Sequence, residues 1–387
     1  ERLVLALSPK YGQVHSPLVS PGQAVQQADP VAASEHVVTH APLSGIVSEV
    51  SSTAVVIRPG EAPAEAQCSS LAPAAEGGPA DADMVRRFGL VGMGGGAFPT
   101  ARKLAASRNC HTLVINGVEC EPGVTIDRAI LSEQPDVVTS GATALAEAIG
   151  ATEILLAVRS DRAFLATLQD LYPFRLVVLP PTYPAGAEKL IVAKLEGRLP
   201  APGELPFHAG YLVHNVATVR AVGIAVRERM PVIERPLSVA RPDASIYRNV
   251  LVPVGIEIGA LLGHLGVPVS ASEDVVISGG LMMGSAVLPD AAVSKATTSL
   301  IVLKRASLGK PASACIRCGA CNGACPLGLH PIAIVRRFQA GTTAGQAYRT
   351  QLETCFLCGA CAAVCPVCIR LTKHLRDGKE CLIHSKT

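Results

Sequence analysis

The spacing of apolar and polar residues divides the 387-residue chain into stretches of different character. Up to about residue 60, turn residues separate short apolar pairs, as in Pro17-Leu-Val-Ser-Pro-Gly-Gln-Ala-Val. The segment Val37-Val-Thr-His-Ala-Pro-Leu-Ser-Gly-Ile-Val alternates and turns at Ser44-Gly45, so this stretch predicts short strands. Residues 61–80 are rich in Ala, Pro, Gly and Glu and read as a linker. From 81 to 240, apolar runs of strand length alternate with helical patterns. Residues 112–116, 153–158 and 174–179 are strands of the fully buried type, and 140–149 and 160–171 are helices. Such alternation predicts an α/β domain with a mainly parallel sheet. Residues 241–300 return to short strands at 249–254, 274–278 and 299–303, with a short helix at 258–265. The remainder, 301–387, holds a cysteine repeat with helices after each half.

Composition narrows the function classes. Hydrophobic residues make up 49% and charged residues 17%, so a core can be buried and global disorder is excluded. The length suggests several domains. A net charge of +3, dispersed along the chain, with 3% aromatics and no Trp argues against nucleic-acid binding. Mean hydropathy is +0.36, yet no run reaches the roughly 18 apolar residues of a spanning helix. The stretch 250–269 is the most apolar, and it carries Glu257 and His264.

The thirteen cysteines carry most of the chemistry. Cys315-Ile-Arg-Cys318-Gly-Ala-Cys321-Asn-Gly-Ala-Cys325-Pro326 is matched by Cys355-Phe-Leu-Cys358-Gly-Ala-Cys361-Ala-Ala-Val-Cys365-Pro366. Each run is the C-x2-C-x2-C-x3-C-P pattern that binds one cubane with three thiolates and lends its fourth to the other cluster. One [4Fe-4S] cluster is expected on Cys315, Cys318, Cys321 and Cys365, the other on Cys355, Cys358, Cys361 and Cys325. Two zinc sites are the bland alternative, but zinc favours paired ligands and has no use for the third cysteine and Cys-Pro of each half. Cys368 and Cys381 are surplus, Cys110 and Cys120 read as buried thiols, and Cys68 in the linker reads as incidental.

A second signal is the loop Phe88-Gly-Leu-Val-Gly92-Met-Gly94-Gly95-Gly96-Ala-Phe98-Pro-Thr100, which runs into a helical stretch containing Lys103. Consecutive glycines let backbone N–H groups approach a phosphate, and the helix that follows favours the anion. It is neither a Walker A loop nor a G-x-G-x-x-G after a strand. Three later segments add weight: Asn116-Gly-Val-Glu119-Cys-Glu121-Pro-Gly, which follows a buried strand, Tyr183-Pro-Ala-Gly186-Ala-Glu188-Lys, and His214-Asn215-Val-Ala-Thr218.

In this order the segments resemble the flavoprotein subunit of respiratory complex I. The start, with His40-Ala-Pro-Leu-Ser-Gly-Ile-Val, resembles the barrel-sandwich fold of biotinyl and lipoyl carrier domains, without a lysine at the hairpin. With Ser278-Gly-Gly-Leu-Met-Met-Gly284 and the double cysteine run, the whole chain resembles the C subunit of the Rnf electron-transport complex (RnfC). The resemblance implies a multidomain α/β and α+β fold. Its parts are a barrel-sandwich hybrid at 1–70, a complex-I-like FMN domain at 81–240, a β-grasp (SLBB-like) domain at 241–300 and a two-cluster ferredoxin domain at 301–387.

It also implies an FMN that accepts hydride from NADH. By that resemblance Gly92, Gly94, Gly95 and Gly96 cradle the FMN phosphate side, and Lys103 supports the flavin region. Asn116, Asn215 and Thr218 bond the flavin or its ribityl phosphate. Glu119, Glu121 and Glu188 face flavin or NADH ribose, and Tyr183 and Gly186 of the same motifs are further cofactor-binding candidates. Phe98 stacks on the nicotinamide nucleotide; a packed core aromatic is its bland alternative, and solvated loop charges are that of the glutamates. No side-chain acid or base is required. The chain departs from the complex I pattern at Met93, Val118, Ala187 and His214. The implied setting is the cytoplasmic face of the inner membrane, peripheral, beside the ferredoxin-like RnfB protein and the membrane subunits. A PduS-type cobalamin reductase and a flavin-less iron–sulfur relay are the alternatives.

Overall fold

The computed structural model describes residues 2–8, 14–60, 80–309, 311–341 and 345–384. The expected linker, with Cys68, lies outside the described residues apart from Ala80.

The first layer is all strand among the described residues: β1 (Leu3–Ala6), β2 (Ser16–Pro17), β3 (Ala24–Val25), β4 (Pro30–Ala33), β5 (Val38–His40), β6 (Gly45–Val50) and β7 (Ala54–Pro59). They form a four-stranded sheet, β1-β7-β6-β3, and a three-stranded one, β2-β4-β5. Alternating residues such as Leu3, Leu5, Val47, Val55 and Ile57 point inward and make its core.

The second layer contains α1 (Ala82–Arg87), α2 (Thr100–Ala106), β8 (Thr112–Gly117), α3 (Ile126–Glu133), α4 (Pro135–Ile149), β9 (Glu153–Arg159), α5 (Arg162–Leu171), β10 (Arg175–Leu179), α6 (Glu188–Glu196), β11 (Tyr211–Asn215) and α7 (Val216–Glu228). The strands pair in parallel in the order β10-β9-β8-β11. Helices pack on both faces, which is why β8 and β9 are apolar along their length and not alternating. Local chemistry sets the helix limits. Pro135 opens α4, Gly150 in the left-handed region closes it, and the Asp161 carboxylate caps α5 by accepting from the Phe164 N–H at 3.2 Å.

The third layer is a five-stranded sheet in the order β13-β12-β16-β14-β15. Its elements are β12 (Glu234–Arg241), β13 (Ile246–Pro253), α8 (Ile258–His264), β14 (Asp274–Ser278), β15 (Ser285–Val287) and β16 (Ser299–Lys304). Here the sequence boundary at 241 needs correction. β12 falls inside the expected α/β stretch, but it pairs with β13 and β16 and belongs to this sheet. An apolar strand does not announce which sheet it joins. The last layer is helical: α9 (Ala320–Gly323), α10 (Pro331–Gln339), α11 (Gln346–Thr354), α12 (Ala360–Ala363) and α13 (Leu371–His384). Ile334, Val335, Leu352, Leu371 and Leu375 form its small core.

The layers are tied by polar contacts as well as packing. The Val4 N–H donates to the Gly255 carbonyl at 2.8 Å. The buried Lys295 ammonium donates to the Gly89 carbonyl at 2.8 Å and the Val38 carbonyl at 3.2 Å, joining three layers. Burial pushes that ammonium down to about 7.

Candidate functional site

The site begins at a topological feature. β8 lies between β9 and β11, and the chain leaves β8 to one side through β9 and β10 before returning to the other as β11. The strand order therefore reverses between β8 and β11, where open α/β sheets bind ligands outside their carboxyl ends. Those ends are Asn116 and Asn215, paired in register, with the Asn215 Nδ2 donating to the Asn116 carbonyl at 3.4 Å.

The glycine loop lies beside this point, between α1 and α2. Its centre is pinned: the Met93 N–H donates to Thr218 Oγ1 at 2.8 Å, and the Met93 carbonyl accepts from the buried Arg235 guanidinium. Gly94 and Gly96 are exposed, and a Cβ at Gly94 would reach within 3.1 Å of Asn215. Met93 itself is buried, which accounts for an apolar residue there. Two buried donors nearby, Arg235 Nη1 and Thr100 Oγ1, have no protein partner. Exposed glycine backbone, a guanidinium with an unused donor and the start of α7 make a donor set that fits a phosphate-bearing cofactor.

Several residues expected on the cofactor are engaged with protein. Asn215 caps α7 through the Ala217 N–H at 3.0 Å and donates to Asp127 Oδ2 at 2.7 Å. Asn116 donates to the Gly186 carbonyl at 2.9 Å, tying the end of β8 to the loop before α6. Lys103 and Glu188, each expected on the cofactor, form an ion pair at 2.7 Å, and Lys103 also donates to the Val213 carbonyl. Glu119, at a positive φ of 42°, accepts from the Asp127 N–H at 2.7 Å and so caps α3. Burial raises both the Glu119 and Asp127 carboxyls, and Asp127 raises Glu119 further. Phe98 carries the Arg102 guanidinium 5.4 Å from its ring centre. His214 is a buried imidazole held well below its ordinary range, first by burial and then by Lys103.

Glu121 and Tyr183 point elsewhere. Both Glu121 oxygens accept backbone N–H groups of the third layer, from Met282 at 3.0 Å and Met283 at 3.1 Å. The Tyr183 hydroxyl donates to the Cys358 carbonyl in the cluster layer. Burial, then Glu121 and Cys358, raises the phenol far above its usual range, so it remains a donor. Sequence reasoning missed Arg235 and Asp127. Asp127 had a signal, lying just past Glu121-Pro-Gly; Arg235 had none, since it sits on a strand of another sheet.

The second cysteine run is gathered close to the last cysteine of the first. Cys325, the fourth cysteine of the first run, lies within electrostatic range of Cys355, Cys358 and Cys361. Burial, then Cys355, Cys358 and Cys325, pushes the Cys361 thiol up to about 12. Four cysteines gathered within electrostatic range of one another form a donor set that fits a cluster. Backbone N–H groups also approach sulfur, Leu357 to Cys355 and Ile369 to Cys365, each at 3.4 Å. Among the described residues no three metal-ligating side chains close on one ion-sized point. A cubane needs no such convergence, because each corner iron takes its own thiolate. The loop of Cys315 and Cys318 is exposed.

Comparison with known proteins agrees with this layout. A family model described as the Nuo51 FMN-binding domain matches residues 85–224, and one described as a 4Fe-4S dicluster domain matches residues 314–369. The chain therefore joins an FMN-binding domain to an iron–sulfur domain, the equipment of electron transport. The resemblance to RnfC is borne out as well. The chain is 35% identical over 357 residues to the C subunit of the ion-translocating oxidoreductase complex of Pseudomonas aeruginosa, covering 86% of this chain and 46% of that one. For the same subunit of Rhodobacter capsulatus the values are 33% over 276 residues, 69% and 53%. For the C subunit of the Na(+)-translocating ferredoxin:NAD(+) oxidoreductase complex of Acetobacterium woodii they are 30% over 273 residues, 67% and 61%. The chain thus spans about half the length of the curated relatives it matches. No helix among the described residues is long and apolar enough to cross a membrane.

Proposed function

We propose that the chain is the NADH-oxidising, electron-input part of an Rnf-type complex. Electrons pass from NADH by way of FMN to two [4Fe-4S] clusters and on towards ferredoxin, coupled to ion movement. The observation that carries this reading is the hydrogen bond from Tyr183 to the Cys358 carbonyl, which sets the carboxyl edge of the flavin-domain sheet against a cluster-binding loop. When bound, FMN supplies the change from two-electron to one-electron transfer and the clusters carry single electrons.

The chain's own residues bind and orient. Gly92, Gly94, Gly95 and Gly96 hold the phosphate end of FMN, with the Arg235 guanidinium beneath the loop. Thr218, Asn215 and Asn116 fix the floor of the crevice: Thr218 by pinning the loop, Asn215 through Asp127 and α7, and Asn116 through Gly186. Glu119 sets the start of α3, and Lys103 with Glu188 closes the side towards α6. Phe98, backed by Arg102, is the surface offered to the nicotinamide nucleotide. Cys355, Cys358, Cys361 and Cys325 hold the cluster next to the flavin domain, and Cys315, Cys318, Cys321 and Cys365 hold the outer one.

In the same reading the first layer is a barrel-sandwich without a modifiable lysine. The five-stranded sheet is an SLBB-like β-grasp. The protein sits peripherally on the cytoplasmic face of the inner membrane, against the ferredoxin-like RnfB protein and the membrane subunits. A flavin-less relay is the second reading, favoured by the Lys103–Glu188 pair, which engages two expected cofactor contacts with each other. The deciding experiment is an anaerobic NADH titration of the cluster-reconstituted protein, followed by visible absorption and EPR, with flavin identified and iron counted. Bleaching of FMN with reduced-cluster signals is expected. Clusters without flavin, or flavin that NADH leaves oxidised, would favour the relay.

A further inference from the structure

The loop at 278–284, Ser-Gly-Gly-Leu-Met-Met-Gly, leaves the end of β14 in the third layer, is tied to it by the Gly279 N–H donating to the Ser299 carbonyl at 3.0 Å, and also reaches outside that layer. Its Met282 and Met283 N–H groups both donate to the Glu121 carboxylate of the flavin domain. Gly279 and Gly280 have φ of 98° and 94°, which only glycine adopts readily. A Cβ at Gly280 would lie 2.7 Å from the Glu121 carboxyl carbon. The two glycines thus shape a backbone cradle for one half-buried carboxylate, as successive N–H groups do for anions.

On its other side the loop meets the iron–sulfur layer. The Met282 carbonyl lies so close to Gly359 that any Cβ there would overlap it. Next to Gly359, the Cys358 carbonyl accepts from Tyr183, which returns to the flavin domain. Glu121, the loop, the Cys358-Gly359 peptide and Tyr183 therefore close a ring of contacts through three layers.

We infer that the 278–284 loop is a positioning joint. Held by Glu121 on one side and pressed on Gly359 on the other, it fixes the Cys355–Cys358–Cys361 loop against the flavin domain. Glu121 is then a positioning residue and not a ribose contact. As a statement about electron passage this rests on the function proposed above; as a statement about how the layers are joined it does not.

The test uses the full chain loaded with flavin and clusters. Gly280→Ala spoils the cradle without substituting any residue expected on the cofactor, and Glu121→Gln, a milder change of nearly the same shape, guards against misfolding. Hydrogen exchange is expected to quicken about tenfold or more in Gly280→Ala both at 279–284 and at 355–363, and by less in Glu121→Gln, with 315–325 and α7 unchanged. Faster exchange confined to 279–284, or none at all, would overturn the joint. In stopped-flow with NADH, Gly280→Ala is expected to bleach flavin at the parent rate and to reduce the clusters several-fold more slowly. Equal slowing of both steps would mean a disturbed nucleotide site and would also overturn it. If NADH leaves the parent's flavin oxidised, the proposed function fails, and the exchange result still decides the joint.

Discussion

The two halves of the cysteine repeat have the same local backbone and different surroundings. Arg317 and Leu357, between the first two cysteines of each run, have φ of 57° and 59°. Gly319 and Gly359 have φ of 76° and 83°, and each opens a four-residue helix, α9 or α12. The first run nevertheless lies open, with Ile316 at 61% exposure, whereas Gly359, Ala360 and Cys361 are buried. The difference sits outside the cysteines. Ile-Arg stands where the other half has Phe-Leu, and Asn-Gly-Ala where it has Ala-Ala-Val. Cysteine spacing writes the cluster loop; a few intervening residues, and the loop at 278–284, decide which copy is covered.

The largest expected effect tests whether the halves differ in what they support. Cys361→Ser is expected to lose about four irons per chain and also to loosen the iron–sulfur layer from the body, seen as early proteolytic cleavage. Cys318→Ser is expected to lose as much iron with the layer still docked. Equal cleavage of the two variants would remove the distinction between an inner and an outer cluster. Next in size is a rate. Under mild oxidation with a chelator, the exposed outer cluster is expected to decay about tenfold faster than the inner one, read as two EPR components. A single decay would mean that exposure of the loop does not reach the cluster.

Much of this was legible beforehand, for definable reasons. Thiol spacing is a local code, so the iron–sulfur character of residues 314–369 could be read from the chain alone. The parallel strands were legible because burial on both faces leaves an unbroken apolar run. The destination of β12 was not, since its pattern suits either sheet. Side-chain partners were the least legible part of the site. Glu119, Glu121, Lys103 and Glu188 are residue types that serve a ligand or a protein neighbour equally well. Only the fold shows that Glu121 meets the 282–283 backbone and that Lys103 meets Glu188.

Smaller effects sharpen the comparison further. At Gly319 an alanine has room, so Gly319→Ala is expected to cost only the left-handed backbone, about 1 kcal/mol. Gly359→Ala adds the collision with the Met282 carbonyl and is expected to cost about 3 kcal/mol or more, measured by denaturant unfolding. Parity between the two would mean that the inner loop is not pressed on its neighbour.

The finest test is Tyr183→Phe, which removes one hydroxyl and leaves the ring. A neutral hydrogen bond contributes about 1 kcal/mol net, so global stability should fall by no more than that. The informative quantity is coupling. If Tyr183 and the 278–284 loop hold the same Cys358-Gly359 peptide, Tyr183→Phe and Gly280→Ala should be non-additive in a double-mutant cycle, by about 0.5 kcal/mol or more. Strict additivity would make them two independent contacts. A raised KM for NADH with unchanged exchange at 355–363 would instead return Tyr183 to the nucleotide, as its motif first suggested. The comparison would then rest on Gly359 alone, since that contact owes nothing to the phenol.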